Sequence, residues 1–188
     1  MNKNKVIIFS APSGSGKSTI ISQLLKKFTN FEFSISATSR APRGEEQNGV
    51  DYYFLTEEEF KTRVENDEFL EYEEVYKGTS YGTLKTELNR IWEKGNVVLF
   101  DVDVVGGTNI KKLLGDDAIS IFIMPPSVET LRSRLISRNT DSIEAIEKRV
   151  AKAEKEISYA PEFDTTVIND SLEKAVEDVE SIIIDFLK

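Results

Sequence analysis

The stretch VIIFSAPSGSGKST (6–19) constrains the fold more tightly than any other part of the chain. Val6 to Phe9 is a short all-apolar run, the pattern of a strand buried on both faces. It passes into a loop holding Gly14 and Gly16, after which Ile20, Ile21, Leu24, Leu25 and Phe28 recur at helical spacing. Glycines let the backbone fold tightly enough for successive amides to converge. A helix beginning near Lys17 adds the partial positive charge of its first turn. A strand, a tight loop and a helix N-terminus in that order suit a phosphate group.

From Ala11 to Ser18 the loop matches the Walker A form, with Ala11 in place of its usual first glycine. Ala11, Pro12, Ser13, Gly14, Ser15, Gly16, Lys17, Ser18 and Thr19 are therefore the expected binding residues for a nucleoside triphosphate such as ATP. Lys17 supplies a full charge to the β- and γ-phosphates, and Ser18 offers its hydroxyl to Mg²⁺. The plainer alternative is an ordinary glycine-serine turn, and the strand before and helix after weigh against it. The loop alone leaves the reaction open.

Further along, VVLFDV (97–102), AISIFIM (118–124) and TTVIN (165–169) read as buried strands. Helical patterns cover Ser127 to about Ser137, Ser142 to Ile157, and Ser171 to Leu187. Apolar runs alternating with amphipathic helices predict an α/β fold with a mostly parallel sheet flanked by helices. Residues 33–82 break that rhythm. YYFLT (52–56) and FLEYEEV (69–75) read as strands of a small antiparallel sheet, joined by a helix that Thr56 and Glu59 can cap. A second interruption, SRNTDS (137–142), offers Asp141 and Glu144 as a capping box. The expected division is a core of about 1–32, 83–125 and 158–188, an inserted small lobe at 33–82, and a helical lid at 126–157.

With 188 residues, one compact domain is expected. The chain has no cysteine and no histidine. That excludes disulfides, thiol nucleophiles, the usual zinc ligands and the commonest general base. A formal net charge of −9 argues against a general nucleic-acid or membrane-surface binder. The four-residue apolar run after MNKNK is shorter than a signal-peptide core, and no stretch is long enough to span a membrane. A cytoplasmic location is the expectation, as a monomer or homodimer.

In so acidic a chain, TSRAPRGEE (38–46) places Arg40 and Arg43 around Pro42. Proline argues against helix here and stiffens the loop. Two planar guanidiniums on such a loop can clamp one dianionic phosphate. The alternative is that both pair with Glu45, Glu46 or other surface acids.

FSISATSRAPRGEEQNGVDYYF (33–54) resembles guanylate kinases, which move phosphate from ATP to GMP in purine nucleotide metabolism. The resemblance continues through LEYEEV…YGT (70–83), DVD (101–103), SRNTDS…EKR (137–149) and VIND (167–170), in the family's order. It implies a P-loop NTPase-type fold, with residues 33–82 as a GMP-binding lobe. Arg40, Arg43, Tyr52 and Tyr81 match the positions that hold the monophosphate. Glu71 matches the base-reading carboxylate, Ser36 the donor to guanine O6, and Thr83 assists. Arg138 and Arg149 align with the lid arginines that join Lys17 in catalysis, and Asn169 matches a position near the ATP adenine. Asp101, at the carboxyl edge of its strand, can orient Arg40 or Arg43, contact GMP or hold a magnesium-bound water.

Three departures from the family pattern stand out. VYKGTSYGT (75–83) is one residue longer than the usual loop, Asn139 replaces a glycine, and Val105 replaces a glutamine before Gly106. An active guanylate kinase is the leading expectation. Its rivals are a guanylate-kinase-like module that grips a phosphorylated peptide, and a P-loop kinase for another small acceptor.

Overall fold

The computed structural model describes residues 4–137 and 142–188. Its larger sheet has five strands in the order β2 (Phe31–Phe33), β7 (Val97–Asp101), β1 (Val6–Ser10), β8 (Ala118–Met124) and β9 (Thr165–Ile168). Every pairing in it is parallel. β1 lies in the middle with all its residues buried, as an unbroken apolar run requires when helices cover both faces. The two-residue period of a strand then sorts its side chains. Ile7, Phe9 and Leu99 face helices α1 (Lys17–Lys27) and α7 (Leu172–Phe186). Val6, Ile8, Val98 and Phe100 face α3 (Lys85–Glu93) and α4 (Val104–Leu114). Each fully buried large apolar side chain contributes roughly 1.5–3 kcal/mol, so these layers hold the sheet edge rigid.

The smaller sheet runs β4 (Tyr53–Phe54), β3 (Ala37–Thr38), β6 (Thr79–Leu84), β5 (Phe69–Tyr76). It is mixed rather than antiparallel as expected. β5 and β6 form an antiparallel hairpin and β3 joins β6 antiparallel, but β4 pairs with β3 in parallel. The 52–56 segment contributes only two strand residues because its partner β3 stops at Thr38, ahead of the Arg40–Pro42 loop. Its own core is small: Ala37, Phe60, Phe69 and Leu84. Helix α2 (Glu57–Glu65) begins with the expected capping box. Thr56 Oγ1 accepts from the Glu59 N–H at 3.1 Å, and the Glu59 carboxylate accepts from the Thr56 N–H at 2.7 Å.

Helices α5 (Val128–Ser137) and α6 (Ile143–Ile157) bury Leu131, Leu135, Ile146, Val150 and Ala153 against each other. The α6 cap differs from the expected Asp141–Glu144 box. Ser142 is the N-cap, in extended geometry, and its hydroxyl accepts from the Ala145 N–H at 3.3 Å, while Asp141 lies outside the described residues. β2, β3 and β6, with α3 and α4, are additions to the elements read from the sequence. Among the described residues, no helix is long and apolar enough to cross a membrane.

Candidate active site

β1 and β7 are neighbours in register, with Phe9 opposite Asp101. Two loops therefore leave the carboxyl edge of the sheet side by side, where parallel α/β sheets bind ligands. Between them lies a cavity of about 350 Å³ lined by Ala11 to Thr19, Asp101, Val102, Asp103 and Glu156. All nine residues expected to hold the triphosphate line it. Gly16 is the N-cap of α1, with φ 91° and no side-chain cap, which leaves first-turn amides available to an anion. A Cβ at Gly16 would overlap the Asn169 amide nitrogen. That amide is buried and donates to the Ser15 carbonyl at 2.7 Å. Asn169, expected near the ATP adenine, is thus tied to the glycine-rich loop.

Lys17 Nζ is ion-paired with Asp101 and donates to the Val102 carbonyl at 3.4 Å. Among the described residues Asp101 therefore pairs with Lys17 rather than with Arg40 or Arg43. The parallel register of β1 and β7 brings its carboxylate to the lysine instead. Asp103 caps α4 by accepting from the Gly106 N–H at 2.8 Å.

In the lobe, Arg40 is the hub. Its guanidinium meets the Glu46 carboxylate end-on, through Nη1 at 2.6 Å and Nη2 at 2.9 Å, and donates to the Ala41 carbonyl at 3.0 Å. Nε donates to Tyr81 Oη at 2.9 Å, and the group lies 5.0 Å from the Tyr52 ring centroid. Arg40, Tyr52 and Tyr81 are thereby brought together. Glu46 presents Arg40 with the planar pair of oxygens that a phosphate would. The Arg40 hydrogen bonds, and that of the Arg43 backbone, hold the Glu46 carboxyl down at about 2. Arg43 is exposed. Between Glu71 and Tyr81, the stretch read as one residue longer than the family's, the β5–β6 pairing shifts register between Glu74 and Tyr76.

Glu71 and Thr83 face each other across β5 and β6, and the Thr83 hydroxyl donates to Glu71 Oε1 at 2.9 Å. Gly82 permits this approach, because a Cβ there would sit 2.7 Å from the Glu71 carbonyl oxygen. Burial pushes the Glu71 carboxyl above its usual range, with the charges of Asp103 and Glu73 adding to the rise and the Thr83 hydroxyl opposing it. Ser36 contributes its carbonyl to the Tyr53 N–H at 2.9 Å, and its hydroxyl makes no hydrogen bond among the described residues.

Arg149 is exposed on α6, two turns before Glu156. At that spacing both occupy one face of the helix, and Glu156 lines the phosphate cavity. Arg138 lies outside the described residues.

A family model described as guanylate kinase matches residues 3–185. The chain belongs to the guanylate kinase family. The guanylate kinase of Bacteroides thetaiotaomicron is 60% identical over 183 residues, covering 97% of this chain and 90% of that one. That of Porphyromonas gingivalis is 59% identical over 184 residues, covering 97% and 98%. The crystal structure of guanylate kinase from Anaplasma phagocytophilum matches with a TM-score of 0.73 at 31% identity, covering 98% of this chain and 87% of that one.

Two residues around the site escaped the sequence reading. Arg134 on α5 donates to the Asn169 carbonyl at 3.0 Å and the Ser15 carbonyl at 3.5 Å, clamping the phosphate loop. Its only signal was its place one turn before Arg138. Glu46, weighed merely as a surface acid, turns out to orient the guanidinium expected to hold phosphate.

Proposed function

We propose that the two clusters divide the ATP:GMP phosphotransferase reaction of this family between them, the β1–β7 cavity taking the ATP tail and the lobe taking GMP. The chain is an ATP:GMP phosphotransferase, yielding ADP and GDP. The observation that carries the division is the Glu71–Thr83 pair. A carboxylate only accepts hydrogen bonds, and Thr83 occupies one oxygen, leaving the other side of Glu71 for adjacent donors. Guanine presents N1–H and a 2-amine there, whereas adenine presents an N1 acceptor and no amine. Ser36 supplies a hydroxyl for guanine O6. Because Tyr81 Oη accepts from Arg40, its own proton is left to point at the GMP phosphate. Arg43 adds an exposed charge, and Tyr52 a second hydroxyl. dGMP, which carries the same base and phosphate, is the further acceptor expected of such a pocket.

The acceptor needs no base. A phosphomonoester's second pKa is about 6, so its attacking oxygen is already ionised near neutral pH. A chain without histidine suits such a reaction, in which positioning and charge neutralisation dominate. Lys17 balances charge on the donor phosphates, and Arg149 and Arg138 add charge when the α5–α6 hairpin closes as a lid and excludes water. The donor set also suits Mg²⁺ arriving on the nucleotide. Magnesium keeps most of its waters and takes few protein ligands, and Ser18, Asp101 and Asp103 are among the residues that line the cavity. Among the described residues, no group of three or more acidic side chains could hold a metal by itself. When bound, Mg²⁺ neutralises charge on the β- and γ-phosphates.

A coupled ADP-release assay with MgATP and GMP, AMP, UMP or CMP tests the reading. Glu71→Gln is expected to weaken the preference for GMP over AMP by about 1–3 kcal/mol, the worth of a charge-assisted hydrogen bond. An unchanged preference would remove Glu71 from the base pocket.

A further inference from the structure

Glu87 is only 2% exposed and carries none of the roles assigned above. Its carboxylate accepts four hydrogen bonds. Oε2 takes the Ile35 N–H at 2.8 Å and Arg90 Nη2 at 2.9 Å, while Oε1 takes Tyr53 Oη at 2.7 Å and Arg90 Nε at 2.7 Å. Behind it, Arg90 is also paired with Glu32, whose carboxylate accepts from Lys94 at 2.8 Å and Asn96 at 3.0 Å. Burial alone would raise the Glu87 carboxyl, but the bonds from Arg90, Ile35 and Tyr53 outweigh it and hold the group below its usual range. The network is therefore charged at neutral pH.

The partners lie on both sides of a seam. Ile35 sits in the connection from β2 of the large sheet to β3 of the small one. Tyr53 belongs to β4 of the small sheet. Glu87 itself is in the first turn of α3, which follows β6 directly where the chain returns to the large sheet. One carboxylate thus fastens both crossings between the two sheets. Burying a charge is costly even when it is paired, and apolar packing often stabilises a fold as well, so bulk stability is a poor account of this arrangement.

We propose that Glu87, backed by Arg90, is a positioning residue for the guanine end of the lobe. Ser36 is held between its two anchors, since Ile35 precedes it and the Tyr53 N–H donates to the Ser36 carbonyl at 2.9 Å. Thr83, which fixes Glu71, lies one turn's length of chain before Glu87. The base-reading groups are set relative to the large sheet through this carboxylate, whereas none of its hydrogen-bond partners belongs to Ala11–Thr19. The inference rests on the placement of GMP in the lobe proposed above.

Steady-state kinetics of Tyr53→Phe and Glu87→Gln, with Arg43→Ala as the reference for the pocket itself, test it. Tyr53→Phe deletes one hydroxyl and is expected to raise the KM for GMP about threefold. Glu87→Gln should raise it about tenfold or more, as for a lost bond to a charged group. In both, the KM for ATP and the kcat at saturating GMP stay within about twofold, a split that general loosening of the fold would not give. If Glu87→Gln does not fold, Tyr53→Phe decides alone. An unmoved GMP KM in folded Tyr53→Phe, or equal rises for GMP and ATP, overturns the positioning role. If Arg43→Ala raises the GMP KM while the other two do not, that role falls and the pocket stands. If Arg43→Ala is silent, the pocket itself is misplaced.

Discussion

Whereas the phosphate cavity draws its donors from nine consecutive residues hung on the wholly buried β1, the lobe collects its groups from five separate stretches around a sheet with a four-residue core. The first site is made largely of backbone amides and one helix end, so its shape follows from chain geometry. The second is made of side chains that position one another: Glu46 and Tyr81 hold Arg40, and Thr83 holds Glu71. The contrast teaches that the first site is sensitive to an added atom, and the second to a lost partner. It also predicts that the two can be damaged independently.

The largest test of that independence is Lys17→Ala. Turnover should fall about a hundred- to a thousandfold, as when a donor aimed at developing charge is removed. The KM for GMP should stay within about twofold. Asp101 is 32% exposed, so water can solvate the carboxylate left behind. Equal losses in turnover and GMP affinity, measured in the same ADP-release assay, would erase the separation.

A reciprocal pair of glycine substitutions sharpens it. Gly16→Ala forces a side chain into left-handed backbone and against Asn169, at about 1–3 kcal/mol. Calorimetry should show ATP binding weakened and GMP binding kept. Gly82→Ala crowds the backbone beside Glu71, at about 1–3 kcal/mol for overpacking, and should do the reverse. Loss of both ligands in either variant would show the two sites to be one cooperative unit.

The smallest expected effect is pH dependence confined to the lobe. The carboxyl of Glu71 is raised above its ordinary range, and the proposed pairing with guanine's donors requires its ionised form. As pH falls through that raised value, the KM for GMP should climb while the KM for ATP stays level, and Glu71→Gln should flatten the GMP curve. Binding of GMP draws the pKa back down, so calorimetry in buffers of different ionisation heat should detect proton release. Because the folded value lies above the unfolded one, ionising Glu71 works against folding, increasingly as pH rises through it.

The same contrast explains what could be read in advance. The strand, loop and helix that line the first cavity were legible because they are contiguous, and β1 needed only its apolar run. In the lobe, residue types could be matched but not their partners. Nothing local says that Glu46 rather than Glu45 meets Arg40, or that Asp101 belongs to Lys17, since both facts depend on strand register and loop path. The parallel β3–β4 pair was hidden for the same reason, two residues being too few for a period. Nothing in the sequence singled out Glu87, whose helix was itself not read in advance. Only the fold shows it buried at a seam.

The Lys17–Asp101 pair sets an entry threshold for the cavity. A small monovalent anion would merely exchange one carboxylate for itself and gain little. A polyphosphate tail brings several charges and reaches the first-turn amides as well, so it can outbid the aspartate. Chloride or acetate should therefore be weak competitors for this cradle, even at concentrations far above that of the nucleotide.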